Sequence, residues 1–320
     1  MIQPKMRGAD AGRRWISAAI LLAALSACGG GVRPPVSDAP APAIASHPPI
    51  TVSHDQRANE TYYQRYVDQQ VARGLMRQDG GGPDTPFDID DVLQSFEQLA
   101  FYDEYARSGT YDRSAPTQVT LARWEAPIRF NLFYGHTVSE AEQRRLDTEI
   151  AAYTKRLHRL TQHPMTITQR GGNFDVLMMG HDDTPEIDAY FAERRGVIGP
   201  EAQRVIASMP RDIHCIVMAF SNAPSGAYSH AIAMIRTDTP DLLKTACIHE
   251  ELAQGLGLAN DSPRARPSIF NDDDEFATLT TMDGLMLEIL YDDRLYSGMT
   301  LDQARPVLRQ IGDDLNRPNS

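Results

Sequence analysis

Apolar positions along the chain follow two periods. At Tyr62, Tyr63, Tyr66, Val67 and Leu75, and again at Val92, Leu93, Phe96, Leu99 and Ala100, they recur every three or four residues. That spacing predicts helices with one buried face. The glycines and prolines of 80–86 read as a loop between them. From Ile128 the period becomes two: Ile128, Phe130, Leu132 and Tyr134 predict a strand. Ser139 and Glu142 then have the spacing of a capping box, opening a helix whose stripe is Leu146, Ile150, Tyr153, Leu157 and Leu160 and which stops before Pro164. Strands follow over 165–168 and 174–179, a short helix over 201–208, and strands over 214–220 and 227–235. Thr239 is expected to cap the next helix, with Pro240 in its first turn. A last amphipathic helix starts at Thr300 and Gln303, with Ala304, Val307, Leu308 and Ile311 on one face. No repeat is visible. The expected class is α+β: a mixed, twisted sheet of about five strands with helices packed on it, preceded by a helical N-terminal extension.

The first residues do not fit this body. Lys5, Arg7, Arg13 and Arg14 precede an apolar run, 15–27, that is thirteen residues long and ends in Leu25-Ser26-Ala27-Cys28. At 1.5 Å per residue the run covers only ~20 Å, short of a ~30 Å hydrocarbon core, so a signal peptide is favoured over a spanning helix. The four residues at its end match the bacterial lipobox, in which the cysteine is lipidated and becomes the first mature residue. Acyl chains on Cys28 would hold the protein to a membrane. Gly29 is not the aspartate associated with inner-membrane retention, so the expected site is the outer membrane, periplasmic side. The stretch after it is rich in Pro, Gly, Ala and Ser and reads as a tether. The expected organisation is signal peptide 1–27, tether 28–58, helical extension 59–125, main domain 126–313 and tail 314–320.

Composition removes one class of function. The net charge is −12, and an acidic body argues against sequence-independent nucleic-acid binding. With Cys28 lipidated, Cys215 and Cys247 are left in an oxidising compartment, where a disulfide between them is expected; two buried free thiols are the alternative. Pairing would also use up both as nucleophiles.

Candidate chemistry gathers on the helix after Pro240, which carries Glu250, Glu251, Leu252, Ala253, Gln254, Gly255, Leu256 and Gly257, with Asn260 and Asp261 just beyond. Residues four apart share a helix face, so Glu250 and Gln254 converge with Glu251 beside them. Gly257 would turn the chain and return Asn260 to the same point. This stretch resembles the metzincin zinc motif, a glutamate-bearing helix with three histidine ligands around a turn glycine. Glu250, Gln254 and Asn260 stand at the ligand positions, Glu251 at the general base and Gly257 at the turn. Downstream, Pro267 to Asn271 resembles the methionine-turn segment, with Phe270 in place of Met. Leu279 to Tyr291 resembles the last metzincin helix, with Thr280 and Asp283 as its capping pair. Together with the lipobox, the two cysteines and Leu290-Tyr291-Asp292-Asp293, these motifs resemble the proteobacterial lipoprotein family known as domain of unknown function 2927, over roughly 127–299.

The resemblance implies a zincin-type sheet and active-site helix, whereas the substitutions imply lost zinc. One carboxylate and two amides form an oxygen-only set that suits Ca²⁺ or Mg²⁺ better than Zn²⁺. His249 has Ala253 one turn on and cannot complete a histidine pair. No cofactor is expected; a divalent cation is the one candidate. A hydrogen-bonded polar network is the plainer reading of the stripe. Adjacent buried carboxylates would have shifted pKa values, which keeps acid–base chemistry in view. The expected role is a non-catalytic binding or assembly component of the envelope, with an envelope protein or peptide as ligand. The alternatives are a hydrolase using Glu251 as general base, and a purely structural lipoprotein. The other histidines, including His136, His181, His214 and His230, show no short ligand spacing.

Overall fold

The computed structural model describes residues 50–105, 113–194, 198–221, 225–271 and 273–317. The signal peptide, Cys28 and most of the tether lie outside the described residues. No described helix is long and apolar enough to cross a membrane.

Five strands form the main sheet: β3 (Ile128–Tyr134), β4 (Met165–Thr168), β5 (Phe174–Met179), β6 (Cys215–Ser221) and β7 (Tyr228–Arg236). Their order is β4-β3-β5-β7-β6, with every neighbouring pair parallel except β6 on β7. The α+β expectation holds, and the predicted strands fall within a residue or so of their observed places. Alternation explains why β5 is buried on both sides. Phe174, Val176 and Met178 face the main core, while Leu177 and Met179 face a second cluster under two helices, α4 (Thr184–Glu193) and α5 (Pro200–Ala207). Periodicity had not announced α4.

The main core packs α2 (Ile89–Phe101), α3 (Glu140–Thr161), α6 (Asp241–Gln254), α7 (Thr281–Leu290) and α8 (Leu301–Leu315) on the other face of the sheet. Ser139 caps α3 as expected, accepting from the Glu142 amide, but the Glu142 carboxylate turns to Arg145 and Lys244 instead of closing the box. Those cations hold its pKa down at about 2. Thr280 and Thr300 open α7 and α8 with full capping boxes. Thr239 does not cap α6: its hydroxyl donates to the Arg236 carbonyl, and Pro240 itself is the N-cap. A hairpin of β1 (Tyr102–Tyr105) and β2 (Arg113–Gln118), also unannounced, follows α2.

The first helix, α1 (His54–Ala72), begins inside the stretch that composition assigns to the tether. Its buried face is not the expected apolar stripe. Tyr63 and Val67 are buried, but Tyr62 is exposed, and Gln56, Asn59 and Gln70 complete the face. These polar groups dock it: Asn59 donates to Asp238 at 2.9 Å, and Gln70 to Asp274 at 2.7 Å. A hydrophobic period cannot reveal a face held by amides.

Candidate functional site

Helix α6 runs under β6, which has one sheet neighbour among the described residues, and a disulfide joins strand and helix. Cys215 opens β6, Cys247 lies one turn before Glu250, and the pair is bonded as expected, with Cα atoms 5.8 Å apart. The strand and helix make the two walls of a trough. Two cavities of about 310 and 300 Å³ lie along it, and both are bordered by Cys215, Glu250, Glu251 and Asp261.

Glu251 is 4% exposed, and its Oε2 has no hydrogen-bond partner among the described residues. Burial and then the neighbouring Asp261 carboxylate push its pKa well above the usual range; an N–H from Val217 on β6 works the other way. Burial without a cation beside it favours the protonated form of a carboxyl. That Val217 amide also fixes the phase of β6. Backbone groups alternate along an antiparallel strand, so those of Cys215 and Ala219 face the trough as well.

Of the predicted ligand positions, the structure brings Glu250 and Gln254 to the trough and leaves Asn260 out of it. The Asn260 amide donates to the Gln98 carbonyl at 3.0 Å, and its backbone N–H to Leu99. Asp261 takes its place, accepting from Gln254 Nε2 at 2.7 Å. The turn explains the exchange of neighbours. α6 ends where Gly255 lies against Phe174, a Cβ there coming within 2.5 Å of the ring. Gly257 then adopts φ +135°, where a Cβ would stand 2.4 Å from the Ala122 carbonyl. The glycine turn is as the motif implies; the residue it delivers is one position later. The aspartate after the motif was the available signal.

Phe270 is fully buried, and its neighbours Ile269 and Asn271 border the larger cavity. Asp283 holds this segment in place. It is itself fully buried and accepts from Ser268 Oγ (2.6 Å), Ile269 N (3.1 Å) and Thr280 N (2.8 Å). His249 points away from the trough: its Nδ1 accepts from the Leu279 amide at 3.0 Å, and its ring stacks on Tyr153. Burial, with Arg156 nearby, pushes its pKa down to about 4.

The donor set does not fit zinc. Cys215 Sγ and carboxylate oxygens of Glu250 and Glu251 lie within 4.8 Å of one another, but the sulfur is in a disulfide and offers no thiolate. Gln254 turns its N–H₂ to Asp261, and among the described residues no imidazole joins the grouping of Cys215, Glu250 and Glu251. Zinc sites are built from thiolate and imidazole with at most one or two carboxylates. His214 borders the far end of the larger cavity, packed against the rings of Tyr63 and Tyr66. Burial lowers its pKa. Elsewhere, His136 meets Asp183 (3.0 Å) and Glu186 (2.9 Å), a grouping that residue spacing does not reveal.

A family model described as a protein of unknown function, DUF2927, matches residues 90–310. No curated protein matches the chain.

Proposed function

The chain belongs to the DUF2927 family, described as of unknown function, and on that premise we propose that it is an outer-membrane lipoprotein, anchored through Cys28, that binds an extended peptide segment along β6 without cleaving it. The scaffold in this reading is metzincin-like. Supporting that are four parallel strands with one antiparallel edge strand, a helix beneath that edge, the Gly257 turn and the buried Phe270 segment bordering the cavity. A sheet edge offers main-chain hydrogen bonds to an extended partner, and pockets beside it supply selectivity. The outward backbone groups of Cys215 and Ala219, with the Val217 carbonyl, are placed for that use.

The observation that carries the non-catalytic reading is the Gln254 to Asp261 hydrogen bond. A residue at a zinc-ligand position spends its amide hydrogen on a carboxylate, and burial raises the pKa of Glu251, which works against its serving as base to a metal-bound water. The test is an assay of the full chain, purified in detergent, on a set of unstructured peptides. The peptides are expected to remain intact, with and without chelator. Chelator-sensitive cleavage that Glu251→Gln abolishes would overturn the reading. One observation favours a second reading, a metal-free hydrolase: the Asp261 carboxylate beside Glu251 raises the pKa of Glu251, an arrangement of the kind that can divide acid and base roles. Chelator-resistant cleavage lost in both Glu251→Gln and Asp261→Asn would select it.

A further inference from the structure

The larger cavity has an unusual wall. Five carboxylates border it, from Asp212, Glu250, Glu251, Asp261 and Asp274, and among the described residues no lysine or arginine does. Nearby guanidiniums are held by other partners: Arg211 donates to Asn59, Arg236 is paired with Asp238, and Arg266 with Glu275. Asp274 is fixed in position by neutral donors, the Tyr66 hydroxyl and the Gln70 amide. Its backbone is left-handed, at φ 56°. Acids alone would not make a site. The second observation is Glu251, more than nine-tenths buried at the border of this cavity, with one carboxyl oxygen lacking a partner among the described residues. Met76, Leu243 and Phe276 give the cavity its apolar surface, and Tyr66, His214 and Asn271 add further polar side chains.

Apolar sides and acidic groups in one cavity match a lysine or arginine side chain, whose methylene stem packs on hydrocarbon while its head seeks carboxylates. At about 310 Å³ the space lies at the small end of ligand sites, suited to one side chain. The other cavity, across Glu251 and Glu250, is bordered by Met218, Phe220 and Tyr228. We propose that the α1 end of the trough is a seat for a basic side chain, so that the segment bound along β6 carries a lysine or arginine entering between Asp212, Asp274 and Glu251. This rests on the peptide-binding reading above and adds the ligand's chemistry to it.

The test titrates the full chain in detergent with two fluorescein-labelled peptides of identical unstructured sequence, one with a central lysine and the other with norleucine there. The lysine peptide is expected to bind about tenfold tighter, a preference that shrinks as salt rises. Asp212→Asn, at an exposed position, and Asp274→Asn should each reduce that preference about threefold. Equal affinities for the two peptides would overturn the basic seat while leaving peptide binding intact. Binding of neither peptide would overturn both. Displacement of both peptides alike by millimolar calcium, with no lysine preference, would show a metal-cation seat and overturn the proposal.

Discussion

Replacing Asp283 by alanine should lower the unfolding free energy by about 3–5 kcal/mol, read from the midpoint of urea denaturation at constant slope. The carboxylate is fully buried and is the shared acceptor of Ser268 Oγ, Ile269 N and Thr280 N. Alanine leaves these donors without an acceptor in a site that water does not reach, which costs more than the net value of the hydrogen bonds themselves. Two pieces of structure fail together, because the residue closes the capping box of α7 and also ties down the segment before Phe270. Asp283→Asn should cost about half as much. Its carbonyl can still accept from the two amides, and the Ser268 hydroxyl can turn round to accept from the new N–H₂. A loss below about 1 kcal/mol in Asp283→Ala would show that the segment is held by packing alone.

The double substitution of Cys215 and Cys247 by alanine should cost a similar amount, for a different reason. The bond closes a loop of sequence separation 32, and chain entropy assigns such a loop about 4 kcal/mol of unfolded-state restriction, against a measured range for disulfides of about 2–4. The consequence goes beyond stability, since β6 is an edge strand whose only sheet neighbour among the described residues is β7. Released from α6, it loses the attachment that holds the trough wall next to Glu250 and Glu251. The double variant should therefore bind peptide more weakly than the unreduced wild type at a temperature where both are folded. Equal stability of the two, within about 1 kcal/mol, would contradict this account of the bond.

Most of the sheet was legible in the sequence because period-two alternation and short apolar runs mark strands directly. Ile128 to Tyr134, Met165 to Thr168 and Phe174 to Met179 emerge at the predicted bounds. The capping signals at Thr280 and Thr300 were equally explicit, since they consist of two side chains three residues apart. Where burial is polar the pattern was silent: α1 is docked by Gln56, Asn59 and Gln70, which no hydrophobic template registers. The site was legible up to the turn. Helix spacing placed Glu250, Glu251 and Gln254 correctly, and the glycine announced a reversal. Which of Asn260 and Asp261 returns to the trough depends on the path after Gly257, a matter of one peptide unit that packing against Ala122 and α2 decides. The acids at Asp212 and Asp274 are joined to the site only by the fold.

Amide hydrogen exchange over 215–221, in the presence and absence of saturating lysine peptide, tests most directly whether the trough is a peptide groove. Binding along β6 predicts slower exchange at the outward amides Cys215 and Ala219, with the peptide recovered at its full mass. Unchanged exchange at both amides, or recovery of the peptide in fragments, would contradict it.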